Sequence, residues 1–304
     1  MEYLKKLQSI HAPAGEEEAL SCELLRYIND HKCNWKVIPK VYSGQGFQDC
    51  IVLVFGKPRT AIFAHMDSIG FTVKYGNELV KIGGPRTNEN FELVGTDSQG
   101  EVEVVLHYDE ENNVMTYKAD REIERGTSLT FKPNWRETDE YIQNCYMDNR
   151  LGVWNALQVA ESLEDGIICF SAWEEHGGGS VEYLGRFIYE QYGVHQALIS
   201  DITWVTEGIE HGKGVAISIR DSGIPRRSYV KRIIDIAKES GVPYQLEVEG
   251  AGGSDGNALQ RSPYPFDWCF IGAPEDNVHT PNEKVYKSDI KAMTDMYKVL
   301  MKEL

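Results

Sequence analysis

Four strongly apolar runs of this chain end on residues that bind metals or move protons. Ala61-Ile62-Phe63-Ala64 ends at His65-Met66-Asp67, and the run from Ile167 to Ala172 leads into Trp173-Glu174-Glu175-His176. Ala197-Leu198-Ile199-Ser200 ends at Asp201, and Trp268-Cys269-Phe270-Ile271 leads through Gly272-Ala273-Pro274 to His279. Asp148 stands just ahead of a helical pattern that starts near Leu151. Each has an ordinary reading when taken singly: a strand-end Asp caps a helix, adjacent glutamates make a solvated pair, and a His before Thr280-Pro281 starts a turn. Their coincidence is the signal, because ligands of open α/β sheets bind beyond the carboxyl ends of the strands, and here several strands deliver the same chemistry to one edge. Two imidazoles with three carboxylates and no thiolate set suit two divalent cations of the Zn, Co or Mn kind, whereas all-oxygen sites favour Mg or Ca. A carboxylate between two such ions, roughly 3.5–4 Å apart, would bridge them, and a shared water would lose its proton near neutral pH and attack a polarised carbonyl. A further carboxylate must accept that proton and return it to a leaving amine. Adjacent Glu174 and Glu175 can divide these tasks, one as base and one as ligand. Asp67, two residues from His65 on an extended strand, projects to the same side and can orient or polarise that imidazole.

The elements that must carry these residues alternate. Helical patterns span residues 2–9 and 16–31, and continuously apolar strands follow at 50–55 and 60–66, as expected for strands buried on both faces of a sheet. From Gly70 to about Trp135 the texture changes to short alternating segments such as Glu101-Val102-Glu103-Val104-Val105, separated by Gly, Asn and Asp turns and without a convincing helix. That pattern predicts a small all-β unit inserted into a larger domain. Alternation then resumes with a helix over 151–163, a strand at 167–172, a helix over 180–192 and strands at 196–200 and 214–219. A helix over 225–240, strands at 244–249 and 267–271, and a closing helix from 288 complete the chain. The expected fold class is α/β, an open mixed sheet flanked by helices. Residues 1–68 and 141–304 form the catalytic domain and 69–140 the inserted β-rich one.

Composition narrows the function further. The 304 residues are 41% hydrophobic with a net charge of −16, and no basic cluster is longer than Pro225-Arg226-Arg227. Nucleic acid and anionic membrane surfaces are therefore excluded as expected partners. No apolar stretch approaches the length of a membrane span, and the charged Met1–Lys6 segment lacks the apolar centre of an export signal. Six scattered cysteines without a C-x-x-C pair fit reduced thiols, so a cytoplasmic location is expected.

Taken in order, His65-Met66-Asp67-Ser68-Ile69-Gly70, Met147-Asp148-Asn149-Arg150-Leu151-Gly152, Glu174-Glu175 followed by glycines, Asp201-Ile202-Thr203, Gly252-Gly253-Ser254-Asp255 and His279-Thr280-Pro281-Asn282-Glu283 resemble one family. It is that of the dinuclear-metal aminopeptidases of the glutamyl and tetrahedral aminopeptidase type, in the clan of co-catalytic zinc exopeptidases. The resemblance covers most of the chain outside the insert. It implies one metal on His65, Asp148 and Asp201, a second on Asp148, Glu175 and His279, and Glu174 as general base, with Asp67 beside it in the catalytic set. It further implies two divalent ions per chain with Zn foremost, peptide substrates, a β-rich insert after the His-x-Asp strand, and a non-proline cis peptide at Asp148–Asn149. A homo-oligomer is expected, with a dimer as the expected size because the insert is short for the family. Asn149 stands where relatives more usually carry a second Asp, and Glu275-Asp276-Asn277 stands where they often carry an Arg-Tyr-type stretch.

Three rival readings draw on other residues. Gly252-Gly253-Ser254-Asp255-Gly256 matches a nucleophile elbow and His176-Gly177-Gly178-Gly179 an oxyanion loop, which would make a serine esterase. Against it, the elbow needs a buried strand before it and a helix after it, whereas Leu246–Gly250 alternates with charges and Pro263 soon follows. A deacylase or carboxypeptidase would use the same cations, the latter with Arg150, Arg220 or Arg226 holding a substrate carboxylate. An inactive relative would serve as a binding protein. Trp173 and His176 are further candidates for the pocket.

Overall fold

The computed structural model describes residues 1–87 and 90–304. Four parallel strands form the centre of an 11-stranded sheet: Gly166–Ser171, Ala61–His65, Gln196–Trp204 and Asp267–Asp276, side by side in that order. Parallel pairing is what gathers the chemistry, because strands that run the same way finish at the same edge. Ser171 lies opposite His65, and Asp201 lies opposite Gly272. Outside this centre, Gln48–Phe55 pairs antiparallel with Gly166–Ser171. On the other side, Glu283–Tyr286 and Tyr141–Asn144 extend the sheet antiparallel from Asp267–Asp276.

The continuous apolar character of the central strands follows from burial on both faces. Alternate side chains serve different cores: Ile62 and Ala64 pack with helices Glu2–Gln8, Glu18–His31, Met147–Ala160, Arg227–Ser240 and Lys287–Glu303, while Ala61 and Phe63 pack with Val181–Tyr192 and Asp255–Arg261. A second sheet of six antiparallel strands lies within Gly70–Phe131. Its end strands approach each other through the Glu78–Thr116 bridge, which nearly closes it around Phe71, Leu93, Leu106, Leu129 and Phe131. Among the described residues of that segment there is no helix.

Several elements depart from the sequence pattern. The strands expected at 196–200 and 267–271 run on to Trp204 and Asp276. Their second halves, where Asp201, Thr203, Glu275 and Asp276 break the apolar run, pair with each other, Thr203 against Pro274 and Trp204 against Glu275, so ladder hydrogen bonds continue past the end of the continuous hydrophobic signal. Strands Lys40–Gly44, Tyr141–Asn144 and Glu283–Tyr286 carry too few apolar residues to be read. A helix does follow Ser254, over Asp255–Arg261, with the Ser254 hydroxyl accepting from Gly256 N as its cap. The proximity of Pro263 therefore did not exclude it; two turns fit before the proline. The helix expected from Leu151 begins at Met147, with non-helical dihedrals at Asp148 and Asn149 and a cis peptide between them.

Candidate metal centre

The strand ends bring the seven expected residues to one place. His65 Nε2 lies 3.1 Å from Asp148 Oδ1 and 3.6 Å from Asp201 Oδ2. His279 Nε2 lies 3.2 Å from Asp148 Oδ2 and 3.4 Å from Glu175 Oε2. Asp148 thus turns one carboxylate oxygen to each imidazole. Two triads share it, His65–Asp148–Asp201 and Asp148–Glu175–His279, with the ligand atoms of each within 4.8 Å of one another. Glu174 stands beside them, its Oε2 3.9 Å from His65 Nε2. Oε1 of Glu175 is buried without a hydrogen-bond partner, an arrangement that is costly unless a cation satisfies it. The donor set, its spacing and this orphaned oxygen fit two divalent cations.

Backbone groups aim the imidazoles. His279 Nδ1 is 3.0 Å from the Gly84 carbonyl and His65 Nδ1 is 3.2 Å from the Asp67 carbonyl. A carbonyl can only accept, so in the neutral rings Nδ1 carries the proton and the Nε2 lone pair faces the carboxylates, the orientation a metal requires. Asp67 was expected to act on His65 through its side chain. Its carboxylate is farther from Nδ1, at 3.5 Å, and is engaged elsewhere: Oδ1 accepts from Glu174 N and Oδ2 from Glu175 N, each at 3.0 Å. Fully buried Glu283 accepts from His279 N through Oε1 and from Asp148 N through Oε2, tying two of the clustered residues together by their main chains.

Charges in the cluster respond to one another. Burial would raise the Asp148 carboxyl, but hydrogen bonds from His279 and His65 hold it well below the usual carboxylate range. Burial disfavours the imidazolium of His279, yet Glu175 and Asp148 outweigh it and push the group up to about 12. Asp201 is pushed up to about 6 by burial and the Asp148 charge. Burial also raises Glu174 well above its ordinary value, opposed by His65 and reinforced by Glu175, Asp255 and Asp201. The cluster therefore demands positive charge at its centre, and without a cation the two histidines supply it.

A sequence profile described as M42 glutamyl aminopeptidase matches residues 107–296, more than half of the chain. The chain belongs to the M42 glutamyl aminopeptidase family. The fold is shared with an aminopeptidase from the archaeon Desulfurococcus kamchatkensis, at TM-score 0.87 and 21% identity over 100% of this chain and 94% of that one. A TET aminopeptidase from a marine sediment archaeon of the Thaumarchaeota gives TM-score 0.85 at 16% identity, covering 100% and 96%. A TET peptidase of Pyrococcus horikoshii, described as assembling into a tetrahedron or a large octahedral shell, gives 0.80 at 22% identity, covering 100% and 99%. A curated protein from Acetivibrio thermocellus is 32% identical over 83 residues, 27% of this chain and only 25% of that protein.

In this M42 family member the triads open into a cleft of about 250 Å³. Beyond the cluster it is lined by Asp221, Glu247 and Glu249, with Trp204 and Phe270 among its apolar walls, and by no Lys or Arg among the described residues. The three arginines considered for a substrate carboxylate are placed elsewhere. Arg150 is fully buried, donating to the carbonyls of Leu7, Ile10 and Ala12; Arg226 pairs with Asp267; Arg220 donates to the Asp221 carbonyl and does not line the cleft. His176 Nδ1 accepts from Gly83 N instead of facing the cleft, and Trp173 is not on the lining either. Before Ser254 the chain leaves its strand at Val248, so the buried strand of a nucleophile elbow is missing.

Sequence reasoning passed over Glu283, although it stands in the quoted His279–Glu283 motif; an acid four residues from a histidine gives no sign of reaching back to its amide. Gly84 lies in the inserted segment, where nothing local points to a site. Asp255 is 2% exposed and hydrogen-bonded to Ser171 Oγ, a burial that its place in a glycine-rich stretch does not signal.

Proposed function

We propose that this chain is a dinuclear metal-dependent aminopeptidase, with His65, Asp148 and Asp201 holding one divalent cation and Asp148, Glu175 and His279 the other. The reading rests on the division of the Asp148 carboxylate between two histidine-containing triads. Zinc is the proposed metal, with Co and Mn as alternatives for a mixed imidazole and carboxylate set. When bound, the cations would supply Lewis-acid polarisation of the scissile carbonyl and acidify water. Glu174 is the proposed general base: its carboxylate, with Oε2 3.9 Å from His65 Nε2 at the edge of the cluster, would take the proton of the attacking water and return it to the leaving amine. Asp67 positions it by holding the Glu174 and Glu175 amides. Asp221, Glu247 and Glu249 give the cleft wall the charge to attract a free substrate amine, and the absence of a lining cation among the described residues disfavours a carboxypeptidase.

Peptides are the proposed substrates. The TET assemblies among the structural neighbours support a homo-oligomer, and six unpaired cysteines support a reducing, cytoplasmic setting. Among the described residues no helix is long and apolar enough to cross a membrane.

Hydrolysis of aminoacyl-p-nitroanilides and their N-blocked analogues, before and after chelation and with Zn, Co or Mn restored, tests the reading. Cleavage restricted to free-amine substrates, lost with the metal and lost in Glu174→Gln at unchanged metal content, is the expected result. Preference for blocked substrates would make the protein a deacylase, and chelator-resistant turnover abolished by Ser254→Ala would make it a serine esterase.

A further inference from the structure

Behind the metal cluster lies a second buried acid that the proposed mechanism does not use. Glu17 occupies the N-cap position of helix Glu18–His31, where an acidic side chain ordinarily sits in solvent or caps its own helix. It does neither. The residue is 0% exposed, and its side chain makes no capping hydrogen bond. Its Oε1 instead accepts from Gly15 N at 3.0 Å and from Trp173 N at 3.1 Å, while Oε2 is buried without a partner.

Trp173 is where the chain leaves the central strand and turns into Glu174 and Glu175. It adopts φ +60°, in the left-handed region that a bulky side chain rarely enters unless its surroundings impose it. The imposition is visible. The amides of Trp173, Glu174 and Glu175 are taken in succession by Glu17 Oε1, Asp67 Oδ1 and Asp67 Oδ2, and the Trp173 carbonyl accepts from Gly178 N at 2.6 Å. The two acids also share an anchor, because Ala14 N donates to Ser68 O and Ser68 N to Ala12 O, which ties the loop before Glu17 to the residue after Asp67. Gly15, beside the Trp173 indole, adopts φ +93°, a backbone conformation that glycine enters without the strain a side chain would bring. Arg150, buried beneath the same loop, supplies positive charge felt by both Asp67 and Glu17.

We propose that Glu17 is a positioning residue for the reaction: with Asp67 it clamps three consecutive amides and so fixes the turn that presents Glu174 as base and Glu175 as metal ligand. The inference rests on the dinuclear aminopeptidase reading, and assigns a role to a residue that touches neither substrate nor cation.

Both hydrogen bonds end on Oε1, so a glutamine retains them, whereas a methionine of similar volume retains neither. Glu17→Gln and Glu17→Met are compared with the wild type for kcat and KM on leucyl-p-nitroanilide, for thermal unfolding, and for Co(II) titration of the metal-free protein followed by its visible absorption. Residues that hold ligands in place typically carry about 10–100-fold in activity or metal affinity. Glu17→Met is therefore expected to fold, to lose about 10–100-fold in kcat with KM little changed, and to bind the second Co(II) equivalent correspondingly more weakly. Glu17→Gln is expected to stay within about threefold of the wild type in every readout. Wild-type kcat and cobalt binding in Glu17→Met overturn the proposal. Equal losses in both variants overturn it too, since charge and not the acceptor would then matter, as does a Glu17→Met protein that fails to unfold cooperatively, which would assign Glu17 to stability. Failure of the parent reading is separately visible, as a wild type that binds cobalt without cleaving any free-amine substrate; the cobalt titrations then still decide the role of Glu17. A wild type that does neither sinks both.

Discussion

Replacing Asp67 by Asn separates two duties that the residue performs at once. In the structure its two oxygens each accept a backbone N–H at 3.0 Å, from Glu174 and Glu175, inside a wholly buried environment. An Asn side chain can offer an oxygen to only one of these amides and must set its NH2 against the other. One hydrogen bond to a charged acceptor is lost, worth about 1.5–3 kcal/mol, and one buried N–H is left without a partner at a further cost of about 1–3 kcal/mol. The variant also no longer buries a charge near the acidic Glu17, which returns part of the loss. The expected net destabilisation is about 2–5 kcal/mol, a large share of the roughly 5–15 kcal/mol that holds a typical domain. Urea unfolding of Asp67→Asn and wild type, both metal-free, measures it. Because the freed turn carries the proposed base and a proposed ligand, kcat should fall by about 10–100-fold as well. A variant within about 1 kcal/mol of wild type and with unchanged kcat would refute the claim that this carboxylate holds the turn. If instead metal affinity weakened while stability held, its effect on the His65 imidazole, 3.5 Å away, would be the dominant one.

Three further outcomes follow from the same geometry. Asp148→Asn removes the charge shared by both triads, so metal analysis of the purified variant should find about one bound cation or none in place of the proposed two, and a full complement would contradict the proposed bridging role. In the metal-free protein the carboxylates, against burial, keep protons on His65 and on His279, the latter up to about 12, whereas a cation needs neutral imidazoles. Each cation should then displace close to one proton at neutral pH, and apparent affinity should fall about tenfold per pH unit of acidification; calorimetry in two buffers of different ionisation enthalpy counts the protons, and a pH-independent affinity would contradict the scheme. Gly152→Ala places a Cβ onto the Ser200 carbonyl and Asn149 Oδ1, and should destabilise by about 1–3 kcal/mol or more, read as a lowered thermal midpoint; an unchanged midpoint would show that the helix can shift away from its strand.

Local chemistry made part of this protein legible in one dimension. A run such as Ile167–Phe170, short and rich in β-branched and aromatic residues, reads as a strand buried on both faces, its brevity arguing against a helix. The alternation in Glu101–Val105 marks a one-sided strand for the same reason, and parallel strands of an open α/β sheet can only present their ends together. The class of the fold and the acidic, histidine-bearing edge follow from those facts alone. Pairing geometry does not. The division of Asp148 between His65 and His279, the Glu283 carboxylate that reaches Asp148 N, the Gly84 carbonyl that aims His279 from within the insert, and the reach of Glu17 to Trp173 are contacts between segments distant in sequence. Residue type records what a side chain is able to do, whereas its partner is chosen by where the packed sheet and helices leave it. Polar residues carry no hydrophobic periodicity to betray that choice, so the buried acids behind the cluster, and the second halves of strands Gln196–Trp204 and Asp267–Asp276 whose apolar runs are broken by acids, Gly272 and Pro274, became visible only once the chain was folded.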